Sequence, residues 1–459
     1  MSDSKKLRLF GTDGIRGTAN KPPMTPDLVL KVGQALGYLL KSAAPHRKGD
    51  KRMVLIGKDT RLSGYMLEQA LSSGLNSMGV GVELTGPLPT PGIGFLARNM
   101  RADAGVIISA SHNAYHDNGI KIFGADGFKI PDAMEKEIER LVAMEDLSSH
   151  LARPEDIGRS RRIDDAAGRY IVFAKNTFPL SKSLENMRIV LDCANGAAYK
   201  VAPAIFTELG AEVIVMGDEP NGFNINDKAG ALYPIRTCEA VMKYRADVGI
   251  SLDGDADRVI MCDEKGEVVN GDHILAICAI QMASEMRLRN NTIVSTQMSN
   301  VGLDIAMQKH KIKVVRTDVG DKNVVEAMRK HDYNLGGEQS GHIIHLDHST
   351  TGDGCIAALN VLAVMHSADK PLSDLKKIMK DVPQVLINTR VSERKELDSI
   401  PGYTKLIDDI TKKLGNEGRL FVRFSGTEPV IRVLVEGPDK ATIGRYAEEI
   451  AGLLQHELS

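Results

Sequence analysis

Short aliphatic runs alternate with helical segments along most of this chain, and this alternation limits the fold more than any other feature. A strand at Met53–Gly57 is followed by a helix at Gly64–Met78 and a second strand at Val80–Leu84. Parallel strands need a long crossover between them, usually a helix. The order therefore predicts α/β units with largely parallel sheets, and 459 residues provide for three or four of them.

Changes in the pattern divide the chain into four predicted domains, at residues 1–155, 156–258, 259–370 and 371–459. The polar segment from Met144 to Arg162 marks the first boundary. The first three domains repeat the same alternation and are expected to be similar mixed α/β domains. The last has the order strand, helix, strand, strand, helix, which favours an α+β domain with an antiparallel sheet. Candidate ligands fall in all four, so we expect a central active-site cleft.

The composition excludes several classes of partner. The net charge is −2, aromatic residues make up 4 % of the chain and there is no Trp, which argues against nucleic acid. No apolar run reaches membrane-spanning length, and the polar start lacks the core of a signal peptide. The five cysteines include no CxxC pair and are expected to be free thiols in a reducing cytosol. A cytoplasmic protein with a small-molecule partner is the prediction.

One buried strand ends in a polar loop with the features of an active site. The run Val106–Ile108 leads into Ser109–Asn113, the usual arrangement on an α/β scaffold. Ser111 is the candidate nucleophile, His112 is its neighbour and Lys121 is a cation nearby in the sequence. An ordinary strand-end turn remains the alternative for this stretch taken alone.

A glycine-dense stretch near the start offers another candidate group. Glycines around Arg16 allow the backbone to approach a ligand closely, and the planar guanidinium can bind an anion. A tight Asp-Gly turn is the simpler interpretation without further context.

Three carboxylates at alternate positions predict a metal site. Asp253, Asp255 and Asp257 follow a buried strand, and carboxylate oxygens suit Mg²⁺ or Ca²⁺. A calcium EF-hand is disfavoured because Arg258 occupies the position where that loop needs glycine, and because both flanks have the pattern of strands. A solvated acidic turn is the remaining alternative.

Two further loops carry groups that suit a sugar phosphate. The C-terminal turn combines two guanidinium groups, two hydroxyls and glycine N–H groups, a donor set that fits phosphate. Its members are Arg423, Ser425, Gly426, Thr427 and Arg432. In the other loop, Glu338 and Ser340 alternate and suit sugar hydroxyls. Lys322 follows a third, weaker loop and could bind a charged group.

The loops, in this order, resemble the α-D-phosphohexomutase family along essentially the whole chain. The matching segments are GTDGIRG at Gly11, SASHN at Ser109, DGDADR at Asp253, GGEQSGH at Gly336 and RFSGTEP at Arg423. The residues of the metal and sugar loops, DGDADR and GGEQSGH, favour the branch that acts on glucosamine phosphates over the branch that acts on glucose and mannose phosphates. One departure is Ala114, where the family usually has proline, and it predicts a change in loop stiffness.

The resemblance implies an isomerase that interconverts glucosamine 6-phosphate and glucosamine 1-phosphate, and so feeds peptidoglycan precursor synthesis. It implies that Ser111 carries the phosphoryl group as phosphoserine and binds one Mg²⁺ together with the three aspartates. Lys121, His112 and Arg16 become the candidates for proton transfer and charge stabilisation, with no choice among them. The implied substrate-binding residues are Arg258, Lys322, Glu338, Ser340, Arg423, Ser425, Gly426, Thr427 and Arg432. Glucosamine 1,6-bisphosphate, or a related hexose bisphosphate, is the implied activator, and a homodimer formed through the first domain is the implied assembly.

Overall fold

The computed structural model describes residues 8–11, 13–43, 51–143, 146–393, 395–424 and 430–458. Within these ranges the first unit is a seven-stranded sheet with the order β1-β2-β6-β5-β3-β4-β7. Its strands are β1 (Phe10–Gly11), β2 (Gly14–Thr18), β3 (Met53–Lys58), β4 (Gly81–Pro87), β5 (Ala104–Ile108), β6 (Asp117–Gly124) and β7 (Ser160–Arg162). Its helices are α1 (Pro26–Ser42), α2 (Ser63–Ser77), α3 (Thr90–Asn99) and α4 (Asp132–Ala143).

This sheet is mixed, as the predicted fold class requires, although alternation alone suggested mainly parallel pairing. β3 pairs in parallel with β4 and β5, but β5 pairs with β6 in antiparallel register. The reason is local: the serine loop connects β5 directly to β6 and closes a hairpin, with no crossover helix. β7 pairs with β4 and so extends the first sheet past residue 155.

The second unit is built on five strands in the order β12-β11-β10-β8-β9, counted over the described residues. Its elements are α5 (Ala166–Lys175), β8 (Arg188–Asp192), α6 (Val201–Glu208), β9 (Glu212–Met216), α7 (Ile235–Tyr244), β10 (Val248–Leu252), β11 (Val259–Asp263) and β12 (Val268–Val269). β10 is fully buried and runs directly into Asp253. The chain then turns back into β11, antiparallel to β10, so this sheet continues past residue 258.

The third unit has four strands in the order β14-β13-β15-β16 within the described ranges. Its elements are α8 (Gly271–Ser284), β13 (Thr292–Thr296), α9 (Val301–Lys309), β14 (Lys313–Thr317), α10 (Asp321–His331), β15 (Leu335–Gly337), β16 (Ile343–His345), α11 (Gly354–Ala368) and α12 (Leu372–Leu375). α12 is a single turn, and a 3-10 turn over Lys376–Ile378 follows it.

The fourth unit is an antiparallel sheet with two helices, as predicted. Its elements are β17 (Gln384–Arg390), α13 (Tyr403–Leu414), β18 (Arg419–Phe424), β19 (Val430–Glu436) and α14 (Lys440–Leu458), with the strand order β17-β19-β18. It has an apolar core of its own, whereas one continuous core links parts of the first three units. None of the described helices is long and apolar enough to cross a membrane. The five cysteines all lie in described ranges and are buried free thiols.

Candidate active site

The serine loop of the first unit meets the acidic loop of the second. Ser111 is buried, adopts a left-handed backbone conformation with φ of 51°, and donates a 2.7 Å hydrogen bond to Asp253 Oδ2. Its Oγ also lies 3.3 Å from Nδ1 of His112. Gly254 permits this close approach, since a Cβ there would lie 2.6 Å from the carbonyl oxygen of Ser111. The structure thus brings together the predicted nucleophile and the predicted metal loop.

A buried ion pair between Asp59 and Arg61 holds the serine loop in place. Arg61 donates from Nε to Asp59 Oδ2 at 2.8 Å, and from Nη2 to the carbonyl oxygens of Ser111 and Asn113 at 2.9 and 2.8 Å. Asp59 also accepts the Ser109 hydroxyl at 2.6 Å, and Ser109 Oγ in turn accepts the N–H of Ser111 at 2.9 Å. Both members of the pair are fully buried, so the conformation of the loop is fixed by charged groups.

Sequence reasoning missed this support, although a signal existed. Asp59 and Arg61 directly follow the buried strand β3, at the same sheet edge where the neighbouring strand β5 delivers Ser111. The rule that selected the serine loop would have selected them too.

The acidic triad has the properties of a cation site. One oxygen from each of Asp253, Asp255 and Asp257 lies within 4.8 Å of the others, and all three residues are buried. In the described part of the chain no other group of this kind was found. Asp255 Oδ1 and Asp257 Oδ1 are buried without a hydrogen-bond partner. Burial, together with the neighbouring Asp257 and Asp255 charges, raises the pKa of Asp253 well above its usual value. These oxygens could hold a metal ion, and the predicted cluster fits one.

Lys121 lies against the same carboxylates. Its Nζ is 3.2 Å from Asp255 Oδ2, 3.2 Å from Asp257 Oδ2 and 3.1 Å from Asp13 Oδ2. Burial opposes the charge, but the three carboxylates outweigh it and raise the pKa of Lys121 well above its usual value. Lys121 is therefore a cation here. Asp13, which also pairs with Arg16, was missed by sequence reasoning, although it lies inside the glycine-dense stretch.

His112 and Arg258 complete the surroundings of Ser111. Burial lowers the pKa of His112 to about 4, with Arg258 and Arg16 acting in the same direction. The ring is therefore neutral at pH 7 and can accept a proton. The backbone N–H of Arg258 donates to Asp253 Oδ1 at 3.1 Å, and its guanidinium Nε lies 3.9 Å from Asp257 Oδ1.

The third unit contributes His342, which sequence reasoning passed over. Its Nδ1 lies 3.7 Å from Asp257 Oδ1, and its Nε2 lies 3.7 Å from Asp321 Oδ2. Burial opposes protonation, but these carboxylates outweigh it and raise the pKa of His342. The N–H of Gly352 donates to Nε2 at 3.0 Å, and this bond favours the tautomer with its proton on Nδ1, facing Asp257.

The predicted sugar loop is also ordered by its own contacts. Glu338 accepts the N–H of Gly320 on Oε1 at 3.2 Å and the Ser340 hydroxyl on Oε2 at 3.1 Å. The Lys322 ammonium pairs with Asp132 and, at 3.2 Å, with Glu135 of α4. It lies at the contact between the first and third units.

The predicted phosphate pocket places two guanidinium groups side by side. Arg423 and Arg432 are directly opposite each other in the β18–β19 register. Burial lowers the pKa of Arg423, and Arg432 adds to this effect. Like charges in such a position repel each other, so the pair favours an anion between them. Ser425, Gly426 and Thr427 lie outside the described residues.

Family models match each of the four units. Models of the phosphoglucomutase/phosphomannomutase family match four consecutive segments: alpha/beta/alpha domain I at 7–149, domain II at 169–266, domain III at 270–382 and the C-terminal domain at 386–453. The chain belongs to the phosphoglucomutase/phosphomannomutase family. The predicted family and fold class are confirmed.

Two relatives that match along the whole chain are named for the same activity. The chain is 68 % identical to the phosphoglucosamine mutase of Bdellovibrio bacteriovorus, over 99 % of this chain and 100 % of that protein. It is 57 % identical to the phosphoglucosamine mutase of Pelobacter propionicus, over 98 % and 99 % of the two chains. These relatives are mutases, which are isomerases, so the predicted enzyme class is confirmed.

Solved structures show the same fold at low sequence identity. A phosphoglucomutase/phosphomannomutase family protein from Burkholderia thailandensis has a TM-score of 0.78 at 22 % identity, with 96 % of each chain covered. The N-acetylphosphoglucosamine mutase of Aspergillus fumigatus, solved with GlcNAc-6P and magnesium, has a TM-score of 0.68 at 17 % identity, over 100 % of this chain and 97 % of that one.

Proposed function

We propose that this chain is a phosphoglucosamine mutase that interconverts glucosamine 6-phosphate and glucosamine 1-phosphate through a phosphoserine at Ser111. One observation carries the proposal: the Ser111 hydroxyl lies 2.7 Å from Asp253, within a buried carboxylate triad that has unpartnered oxygens. The choice of sugar is supported by full-length relatives of that name, at 68 and 57 % identity.

The metal of the proposed enzyme is Mg²⁺. Ser111, Asp253, Asp255 and Asp257 would hold it, since hard oxygen donors are the ligands this ion prefers. When bound, the ion acts as a Lewis acid and offsets the charge of the phosphoryl group.

In the first transfer, the bond between phosphorus and Ser111 Oγ breaks as a bond to O1 of glucosamine 6-phosphate forms. The O1 proton passes to a base of the chain, and glucosamine 1,6-bisphosphate results. His112 is neutral at pH 7 and lies 3.3 Å from Ser111 Oγ, which suits proton transfer. Lys121 holds its own proton and suits stabilisation of the transferred group.

In the second transfer, the bisphosphate turns over in the cleft and the bond between O6 and its phosphorus breaks as a bond to Ser111 Oγ forms. O6 takes back the proton that the base holds, and glucosamine 1-phosphate is released. This exchange requires a second anion site for whichever phosphate is not reacting. The Arg423 and Arg432 pair supplies it, while Glu338 and Ser340 bind sugar hydroxyls. Glucosamine 1,6-bisphosphate would also restore phosphoserine to an enzyme that has lost it.

We further propose that the protein is cytoplasmic and forms a homodimer.

The test is the intact mass of the purified protein before and after incubation with glucosamine 1,6-bisphosphate. We expect a phosphate-sized increase that Ser111→Ala abolishes. Ser284→Ala, at an exposed serine of α8, is the matched control and keeps the increase. A wild-type mass without the phosphate increment both before and after incubation would refute the covalent mechanism.

Turnover of the three sugars tests the substrate. Rates with glucosamine, glucose and mannose phosphates are compared at equal protein and Mg²⁺. Glucosamine phosphate is expected to be converted fastest. A preference for glucose or mannose phosphates would leave the mechanism standing and assign the chain to another activity of its family.

A further inference from the structure

Five charged side chains and His342 form a closed ring at the point where the first three units meet. Carboxylates and ammonium groups alternate along the five charged members, His342 lies between two carboxylates, and each member lies within 4 Å of the next. In order, the members are Lys121, Asp13, Lys129, Asp321, His342 and Asp257, from which the ring returns to Lys121. Three members belong to the first unit, one to the second and two to the third, so the ring joins all three.

Lys129 connects the two halves of this ring. Its ammonium donates to Asp13 Oδ1 and, at 2.6 Å, to Asp321 Oδ2. Its side chain is 15 % exposed, so both bonds are largely shielded from water. Burial opposes its charge, but Asp321 and Asp13 outweigh burial and raise the pKa of Lys129. The lysine is thus a fixed cation between two carboxylates.

Asp13, which Lys129 holds, is directly connected to the active site. While Asp13 Oδ1 accepts from Lys129, its Oδ2 faces Nζ of Lys121 at 3.1 Å and pairs with Arg16. A carboxylate anchored on one oxygen presents the other in a single orientation. Neither Lys129 nor Asp321 contacts the acidic triad, so this half of the ring does not depend on a bound metal.

The backbone around Lys129 is fixed as well. Gly127, just before it, has φ of +77°, and a Cβ there would lie 2.6 Å from the carbonyl oxygen of Gly94. The Thr350 hydroxyl of the third unit donates to the Gly127 carbonyl at 2.5 Å. The turn is therefore held from both units, and the lysine leaves it in a defined direction.

We propose that Lys129 is a positioning residue: by holding Asp13 on one side and Asp321 on the other, it fixes Lys121 and Arg16 beside the reacting phosphoryl group and couples their placement to the third unit. This inference rests on the proposed function. It assigns to a residue outside the five family motifs a role in the phosphoryl-transfer step.

The alternative is that Lys129 is only one of several ion pairs between the first and third units. Arg329 offers the matched control. Its guanidinium lies 3.7 Å from Asp126 and covers the Phe128 ring at 4.0 Å, so it crosses the same interface without touching Asp13. Loss of a general interface contact would affect both variants alike.

The experiment measures kcat, KM and thermal unfolding of the full-length protein with Mg²⁺, for Lys129→Met, Lys129→Arg, Arg329→Met and the double variant Lys129→Met/Asp321→Asn. We expect Lys129→Met to lower kcat by about tenfold or more, since a small misplacement of catalytic groups is costly. Lys129→Arg should recover part of it, because a guanidinium can bridge two carboxylates. Arg329→Met should stay within about twofold of wild type, as partly exposed ion pairs contribute little. Should Lys129→Met not fold, Lys129→Gln replaces it with the same expected loss.

Three results would overturn the proposal. They are a kcat of the Lys129 variant within about twofold of wild type, an equal loss in Arg329→Met, and full recovery in the double variant, which would mean that only the balance of charge matters. The wild type is assayed first. If it converts no hexose phosphate, the proposed function has failed. If it is active, each variant is compared with it on the sugar it prefers, so an error in the sugar does not affect the result.

Discussion

The Ser111 hydroxyl donates its hydrogen to Asp253 Oδ2 at 2.7 Å, so the proposed nucleophile is hydrogen-bonded to a carboxylate of the acidic triad. Phosphorylation would remove that hydrogen and place about two negative charges beside Asp253. The two groups would then repel each other unless a cation lay between them. The hydrogen bond and the proposed phosphoserine, with a cation held by the triad, would therefore be two alternative states of the same pair.

Replacement of one triad carboxylate tests this view. Asp255→Asn removes a charge while the amide oxygen can still accept the Thr90 hydroxyl, which donates to Asp255 Oδ2 at 2.6 Å. We expect little net change in the unfolding temperature of the metal-free variant, because relief of repulsion within the triad is offset by the lost pairing with Lys121, whose Nζ lies 3.2 Å from Asp255 Oδ2. We also expect it to lose the stabilisation that saturating Mg²⁺ gives wild type, about 2.7 kcal/mol when the free ion is at 100 times its Kd.

Thermal unfolding with and without Mg²⁺ measures both effects. Asp164→Asn is the control, since it removes an exposed aspartate of the same chain far along the sequence from the triad. A variant that keeps the full Mg²⁺-dependent increase would mean that Asp255 is not a metal ligand.

The sequence predicted the parts of the site whose chemistry is visible in one short segment. Asp253, Asp255 and Asp257 could be recognised because three carboxylates stand at alternate positions after a buried strand. Ser111 could be recognised because a buried strand ends at it. The division into four units was predictable from the alternation of strands and helices. The presence of a sheet in each unit was predictable for the same reason.

What escaped prediction depends on distant contacts. Arg61 donates to backbone carbonyl oxygens some fifty residues away. Every residue carries such an oxygen, so no sequence pattern marks the contact. Asp13 and Lys129 become partners only because β2 and β6 pair in antiparallel register. Lys322 was predicted to bind a charged group of the substrate, and in the structure its ammonium pairs with Asp132, which precedes it by 190 residues. Such pairings become visible only when the sheets are assembled.

A second prediction concerns the support beneath the serine loop. Arg61→Met and Lys58→Met each remove the cation of a buried ion pair in the same unit, since Lys58 pairs with Glu68 at 2.6 Å. Both are expected to reduce the free energy of unfolding by roughly 3–5 kcal/mol. Only Arg61→Met should also lower kcat, by about tenfold or more, because Arg61, unlike Lys58, donates to the Ser111 and Asn113 carbonyls.

Urea unfolding and steady-state kinetics, run on both variants below their melting temperatures, separate the two effects. Equal kcat values for the folded fractions of the two variants would show that Arg61 contributes stability alone. The phosphoserine content, read from the intact mass, should follow kcat.

A third prediction concerns the two arginines that face each other on β18 and β19. Arg423→Met removes one donor of the proposed anion site and also relieves its repulsion with Arg432. We expect kcat/KM to fall by about 10- to 100-fold, the value of one charge-assisted hydrogen bond to phosphate. Stability without substrate should be unchanged or slightly higher.

Kinetics with the sugar phosphate, and thermal unfolding with inorganic phosphate, are the measurements. Arg445→Met, at an exposed arginine of α14, is the control and should behave as wild type. An unchanged kcat/KM in Arg423→Met would remove this residue from the substrate site.

The last prediction is a dependence of stability on pH that comes from His345. This side chain is buried, its Nε2 has no hydrogen-bond partner, and burial lowers its pKa to about 3, aided by His348 and Arg287. In the unfolded chain the pKa is about 6.5. Below that value the unfolded state takes up a proton that the folded state does not bind, so stability falls as the pH drops from about 6.5 towards 3.

His345→Phe fills a similar volume and cannot titrate. Relative to the variant, wild type should lose about 1.4 kcal/mol for each pH unit below 6.5. Urea unfolding at pH 7.5, 6.5, 5.5 and 5.0 measures this difference, and His310→Asn, at an exposed histidine, is the control. Parallel curves for wild type and His345→Phe would show that His345 does not titrate between the two states.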